Sequence, residues 1–141
     1  MEELIGTMAT LDEKVRALLD EPRFAVVATI NRDGTPQQTV LWYYRDGDDI
    51  VMNTARGRVK DSNLLRDPRL SFCIEDEYHY VTLTGTVTLI DDQTIAQADI
   101  RKLAVRYHGE AEGNAQADNQ FVKQQRVTMR MHVDRVVADL D

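Results

Sequence analysis

Cysteine is almost missing from this sequence: Cys73 stands alone among 141 residues, so neither an intramolecular disulfide nor a cysteine-based zinc site can form. It lies in LSFCIE, an apolar strand-like run, and reads as a small core residue in a reducing compartment. Positive charge is also scarce. Seventeen Lys and Arg against twenty-four Asp and Glu leave a net charge of −7, which repels nucleic-acid phosphates and anionic membranes, so neither is expected as a partner. No window approaches the about eighteen uninterrupted apolar residues of a membrane span. MEELIGTMATLDEK, at the start, lacks the basic lead and apolar run of a signal peptide, and a cytoplasmic location is expected. His79, His108 and His132 fall in three different elements without an HExxH or HxH spacing, so no metal site is expected. There is no GxSxG, and the acid pairs Asp48-Asp49 and Asp91-Asp92 sit at turn signals, where solvated charge is ordinary.

What is present reads as one mainly β domain over residues 1–141. Thr10-Leu11-Asp12-Glu13 fits a capping box, and Leu11, Val15, Leu18 and Leu19 then follow helical spacing until Pro22, which predicts a short lid helix. FAVVATI (24–30) and TVLWYY (39–44) flank the turn Asn31-Arg32-Asp33-Gly34 and read as a hairpin, with Pro36 at the start of its second arm. DIVMNT (49–54), RLSFCIE (69–75) and YVTLTGTVTLI (80–90) follow as strands, with Gly85 a candidate bulge in the last of them. Ala96, Ile100, Leu103, Ala104 and Tyr107 define an amphipathic helix ending near Gly109. GEAEGNAQADNQ (109–120) is polar and low in complexity, and reads as a loop that could serve as a lid. Val127, Met129, Met131 and Val133 alternate with polar residues as a sixth strand. Six strands joined mostly by hairpins predict a closed or nearly closed antiparallel barrel with peripheral helices.

One chemical feature stands out against the acidic background. NTARGRVKDSNLLRDPR carries Arg56, Arg58, Lys60, Arg66 and Arg69, five of the seventeen basic residues, within fourteen positions. A short helix starting near Gly57 would add unpaired backbone N–H groups and the positive end of its dipole. Arg58 can grip a phosphate through two nitrogens while Lys60 adds a point charge. The alternative is that these cations pair with surface acids such as Asp61 and Asp67, a role for which Arg66 and Arg69 are better placed.

Taken together, ATINRDGTPQQTVLWYYRDGDDIVMNTARGRVKDSNLLRDPRLSFCIED and YHYVTLTGTVTLI resemble the pyridoxamine-phosphate-oxidase-like split-barrel superfamily, within it most closely the coenzyme F420-dependent reductases. The DGxP turn, Asp33 to Pro36, and the run NTARGRxKxxNLxRDPR carry the likeness. It implies a six-stranded antiparallel split β-barrel of the FMN-binding type, a homodimer with cofactor sites between its subunits. On this likeness the cofactor phosphate falls to Arg58 and Lys60, assisted by Thr54 and Asn63. The ring system lies along Gln38, Thr39, Val40, Leu41 and Trp42, while Tyr78 or Tyr80 serves the partner's site. Arg56 is the candidate for the glutamate tail of the deazaflavin.

The implied cofactor is coenzyme F420, an 8-hydroxy-5-deazaflavin, with FMN the alternative. The implied reaction is hydride transfer between the reduced coenzyme and a small conjugated carbonyl or quinone-like acceptor. No side chain is assigned as catalytic, which agrees with chemistry carried by the cofactor. Two other readings stay open: an FMN-dependent oxidoreductase on the same barrel, and a module that binds a deazaflavin, flavin or haem without turnover.

Overall fold

In the computed structural model, which describes residues 9–140, the chain forms seven strands and four helices. They run in the order α1 (Glu13–Leu19), β1 (Ala25–Ile30), β2 (Pro36–Leu41), β3 (Tyr44–Asp46), β4 (Asp49–Ala55), α2 (Val59–Arg66), β5 (Arg69–Asp76), β6 (His79–Ile90), α3 (Gln93–His108), α4 (Glu110–Asn119) and β7 (Arg126–Asp139), with a 3-10 turn at Phe121–Lys123 before the last strand.

All neighbours are antiparallel, in the sheet order β2-β1-β5-β6-β7-β4-β3. The two edge strands, β2 and β3, are consecutive in the chain and separated only by Trp42 and Tyr43. Three Cα steps span at most roughly 10 Å, so the sheet must curl until its edges meet. That covalent seam makes the sheet a split barrel. It also accounts for the seventh strand: the single predicted run 39–44 breaks at Trp42-Tyr43, where the chain leaves one edge and starts the other.

Inward side chains of β1, β4, β5, β6 and β7 fill the barrel, among them Val27, Phe72, Ile50, Met52, Leu83, Met129 and Met131, all almost fully buried. Each such side chain contributes about 1.5–3 kcal/mol on removal from water. Leu11, Val15, Leu18 and Leu19 bring α1 into the same core, as expected of a lid helix. Its cap differs from the expected one: Asp12, not Thr10, accepts the Val15 N–H at 2.9 Å. Gly85 does mark a bulge, where the β6–β7 register shifts, and a Cβ there would stand 1.9 Å from the His132 carbonyl oxygen. Cys73 departs from the expected core position, because Phe72 and Ile74 take the inward places and leave it half-buried on the outer face.

A second, smaller core lies outside the barrel, where Ile100, Leu103 and Ala104 of α3 pack on Tyr44 and Val51. For this reason β4 is buried on both faces rather than alternating apolar and polar. The stretch read as a loop at 109–120 is the helix α4. Its glycine enables this: a Cβ on Gly113 would lie 2.5 Å from Val105 backbone atoms, so only glycine lets α4 pack this closely on α3. Buried Ala117 continues the small-residue contact. Polar composition hid the helix, and packing decided it.

Candidate functional site

Between the β2–β3 seam, the end of β4, the start of α2 and the 3-10 turn lies a cleft of about 280 Å3. Val40, Leu41, Trp42, Thr54, Arg58 and Lys60, all expected at a ligand site, line it together. They come from three separate elements, so their convergence is a product of the barrel.

The basic end is built by a tight turn. Gly57 adopts φ 91°, a conformation costly for any residue with a Cβ, and its N–H donates to buried Asp61 at 2.8 Å. The turn delivers Arg58 as the cap residue of α2, whose first internal bond runs from the Ser62 N–H to the Arg58 carbonyl. The N–H groups of Val59, Lys60 and Asp61 precede that bond and add positive potential. Among the described residues, neither the Arg58 guanidinium nor the Lys60 ammonium has an acidic partner, and no Asp or Glu lines the cleft. Burial, reinforced by Arg58 and Arg126, holds the Lys60 pKa below its ordinary value.

Thr54 supplies a further test. Its side chain is buried, it lines the cleft, and its hydroxyl has no hydrogen-bond partner among the described residues. A buried polar atom left without a partner costs about 1–3 kcal/mol. Two unpaired cations and an orphaned hydroxyl fit an anionic group such as a phosphate.

The apolar side is framed by aromatics. The Trp42 ring stacks on Tyr107 at 5.5 Å and 14°, with Phe121 edge-on at 6.4 Å. The Tyr107 hydroxyl accepts from the Tyr43 N–H at 3.2 Å and donates to the Arg23 carbonyl at 2.6 Å, which pins the seam to α3. Trp42 and Tyr44 face α3 while Tyr43 enters the barrel core.

Other expected residues stand elsewhere. Arg56 is paired with Asp61 at 3.4 Å and Asp91 at 3.7 Å and does not line the cleft. Asn63 donates to Thr29 and Asn31, both at 3.1 Å, and so ties α2 to β1. Gln38 and Thr39 lie on β2 beyond the cleft lining. Tyr78, nine-tenths exposed, and Tyr80 belong to the β5–β6 hairpin, and neither lines this chain's own cleft. Arg66 and Arg69 serve the fold, as expected: Arg66 donates to Ile30 and Asn63, and Arg69 pairs with Asp67 at 2.8 Å. The Arg69 guanidinium holds the Asp67 carboxyl down to about 2.

Sequence reasoning missed Asn53, Arg126, Phe121 and Gln120, which also line the cleft. Asn53 carried a signal, an amide inside an apolar run. Its Nδ2 donates to the Ala96 carbonyl at 3.0 Å. Arg126 carried none, because one arginine ahead of a strand is unremarkable in sequence. The structure buries it.

A profile of the pyridoxamine 5'-phosphate oxidase family matches residues 11–138, and the chain belongs to that family. Solved structures agree. A conserved hypothetical protein of Mycobacterium tuberculosis is 25% identical with a TM-score of 0.78, over 95% of this chain and 88% of that one. An F420 reductase is also 25% identical, with a TM-score of 0.71 over 86% of this chain and 94% of that one. A haem-binding protein of Mycobacterium smegmatis shares the fold at 20% identity and a TM-score of 0.67, over 95% of this chain and 55% of that one. The mainly β split barrel expected from sequence is thereby shown. Among the described residues, no helix is long and apolar enough to cross a membrane.

Proposed function

We propose that this protein is an oxidoreductase that transfers a hydride between reduced coenzyme F420 and a small conjugated carbonyl or quinone-like acceptor. The observation that carries the reading is a cleft in which, among the described residues, no acid is present and Arg58 and Lys60 lack partners beside the Thr54 hydroxyl, which also has none. When bound, the deazaflavin supplies the hydride chemistry. Arg58, Lys60 and Thr54 hold its phosphate, while Val40, Leu41 and Trp42 position the ring system and exclude water from one side. Likeness to an F420 reductase supports the choice of cofactor.

The site operates in a homodimer. Across the sheet, Val40, Val26, Cys73, Thr82 and Val137 lie side by side in register on the outer face, with Val26 and Val40 41% and 62% exposed. Such a row suits burial against a second copy. Val40 belongs to both the row and the cleft rim, so a copy seated there closes the cleft, with Tyr78 or Tyr80 offered from the partner's hairpin.

FMN is the second reading, and one observation favours it. Arg56, expected at the glutamate tail, is engaged by Asp61 and Asp91, which removes a reason to prefer the longer coenzyme. Fluorescence titrations of the purified protein with F420 and with FMN separate the two. Micromolar binding of FMN with none of F420 overturns the first reading. Tight F420 binding with no oxidation of the reduced coenzyme by a panel of enones and quinones assigns the protein a carrier role instead.

A further inference from the structure

Arg126 opens β7 and is only 6% exposed in the wall of the cleft. Buried arginines are ordinarily matched by a carboxylate, because an uncompensated charge in a low-dielectric site costs several kcal/mol. Here the matching groups are neutral. Nε donates to the Asn53 amide oxygen at 2.9 Å, Nη1 donates to the Gln124 amide oxygen at 2.7 Å, and the guanidinium lies 4.9 Å from the Phe121 ring centroid. Nη2 makes no hydrogen bond to any described residue.

The arms that hold it are fixed in turn. Asn53 is anchored to the Ala96 carbonyl on α3. The Gln97 amide donates to the Phe121 and Gln124 carbonyls, both at 2.9 Å, which locks the 3-10 turn beside the guanidinium. Oriented by amides and an aromatic face, the arginine keeps its full charge for something outside the chain.

We propose that Arg126 is a third ligand-binding cation of the cleft, acting with Arg58 and Lys60 on one polyanionic group. This rests on the functional reading above and deepens it, since three cations without an acid match a phosphate of two negative charges or a phosphate with an adjoining carboxylate. Two further observations agree. The Thr54 hydroxyl beside them is buried without a partner among the described residues. Burial, reinforced by the charge of Arg58, pulls the Arg126 pKa down to about 10.

The test compares wild type with Arg126→Gln and Arg126→Lys, reading melting temperature in low-salt buffer and its change with sodium phosphate, FMN and F420. Because the arginine is uncompensated, Arg126→Gln is expected to melt at or above the wild-type temperature without ligand, yet to lose most of the rise that phosphate produces. It should also weaken the bound cofactor about tenfold or more, as loss of a charge-assisted contact does. Arg126→Lys keeps the charge and should retain most of the phosphate effect.

A purely structural arginine predicts the reverse, a lower melting temperature with an unchanged response to anions, and that result overturns the proposal. If wild type binds neither cofactor but gains an Arg126-dependent stabilisation from phosphate, the oxidoreductase reading falls and the role of Arg126 stands. If cofactor binds Arg126→Gln as tightly as wild type, the reading stands and the role falls. Stabilisation of the wild type by none of the three probes removes both.

Discussion

The two ends of α2 carry the same kind of side chain to opposite ends. At its start, Arg58 and Lys60 have no acidic partners among the described residues, and no described acid lines the cleft they face. At its finish, Arg66 donates to backbone and amide oxygens, and Arg69, beyond the helix, is matched by Asp67. Arg56 stands next to the first group in sequence, yet it belongs to the second through Asp61 and Asp91. What divides the cluster is therefore partnership. A cation already matched by a carboxylate has little left for a ligand, and a half-buried cation without one is stabilised when an anion arrives.

The sharpest way to break this division is Asp61→Ala. Asp61 is fully buried, takes the Gly57 N–H and neutralises Arg56, so its removal leaves a turn unanchored and a charge unmatched. A stability loss of about 3 kcal/mol is expected in urea unfolding. Next come Arg58→Ala and Lys60→Ala, each expected to weaken cofactor binding by about 1.5–3 kcal/mol in a fluorescence titration. Neither should lower the melting temperature, since neither side chain has a partner to lose among the described residues.

A smaller effect concerns pH. Burial, with Arg58 and Arg126 nearby, makes the Lys60 proton leave below the ordinary 10.5, so positive charge is lost from the cleft as pH rises toward that value. Anion affinity should decline over that alkaline range, in which Arg126 also loses charge, and Lys60→Arg should lessen the decline; an unchanged slope would remove Lys60 from the site. The smallest effect belongs to Arg69→Ala. Its pair with Asp67 is solvated, and both cofactor affinity and melting temperature should match wild type within assay error. Equal losses of affinity for Arg58, Lys60 and Arg69 variants would show that the division is drawn in the wrong place.

Much of this was legible in the chain, and particular residues show why. The hairpin at Asn31 to Gly34, the stop at Gly109 and the bulge at Gly85 follow from local turn chemistry and periodicity. Arg58 and Lys60 were legible as an anion site because a concentration of cations in an acidic chain is itself a local signal. The helix α4 was not, because its formation depends on the close approach of Gly113 to Val105, which no composition reveals. Arg126 was not either. Its neighbours in the cleft, Asn53 and Lys60, lie 73 and 66 positions away in sequence.

By itself, then, the amino-acid sequence determined every strand except the split of the run 39–44 at the seam, the turns that join them, the lid helix and the choice of cations offered after β4. Each of those is settled by contacts within a few residues, through dihedral preference, alternation or capping. Only the tertiary structure decided which cations stay free. Closing the sheet at Trp42-Tyr43 brings β2, β4, α2 and the start of β7 around one cleft, while Arg56 is taken up by Asp61 across the β4–α2 turn and by Asp91 after β6. Charge pairing acts through space: Asp67 and Asp61 lie within five residues of Arg69 and Arg56, but the surroundings of Arg58, Lys60 and Arg126, where no acid lies among the described residues lining the cleft, were set by the fold.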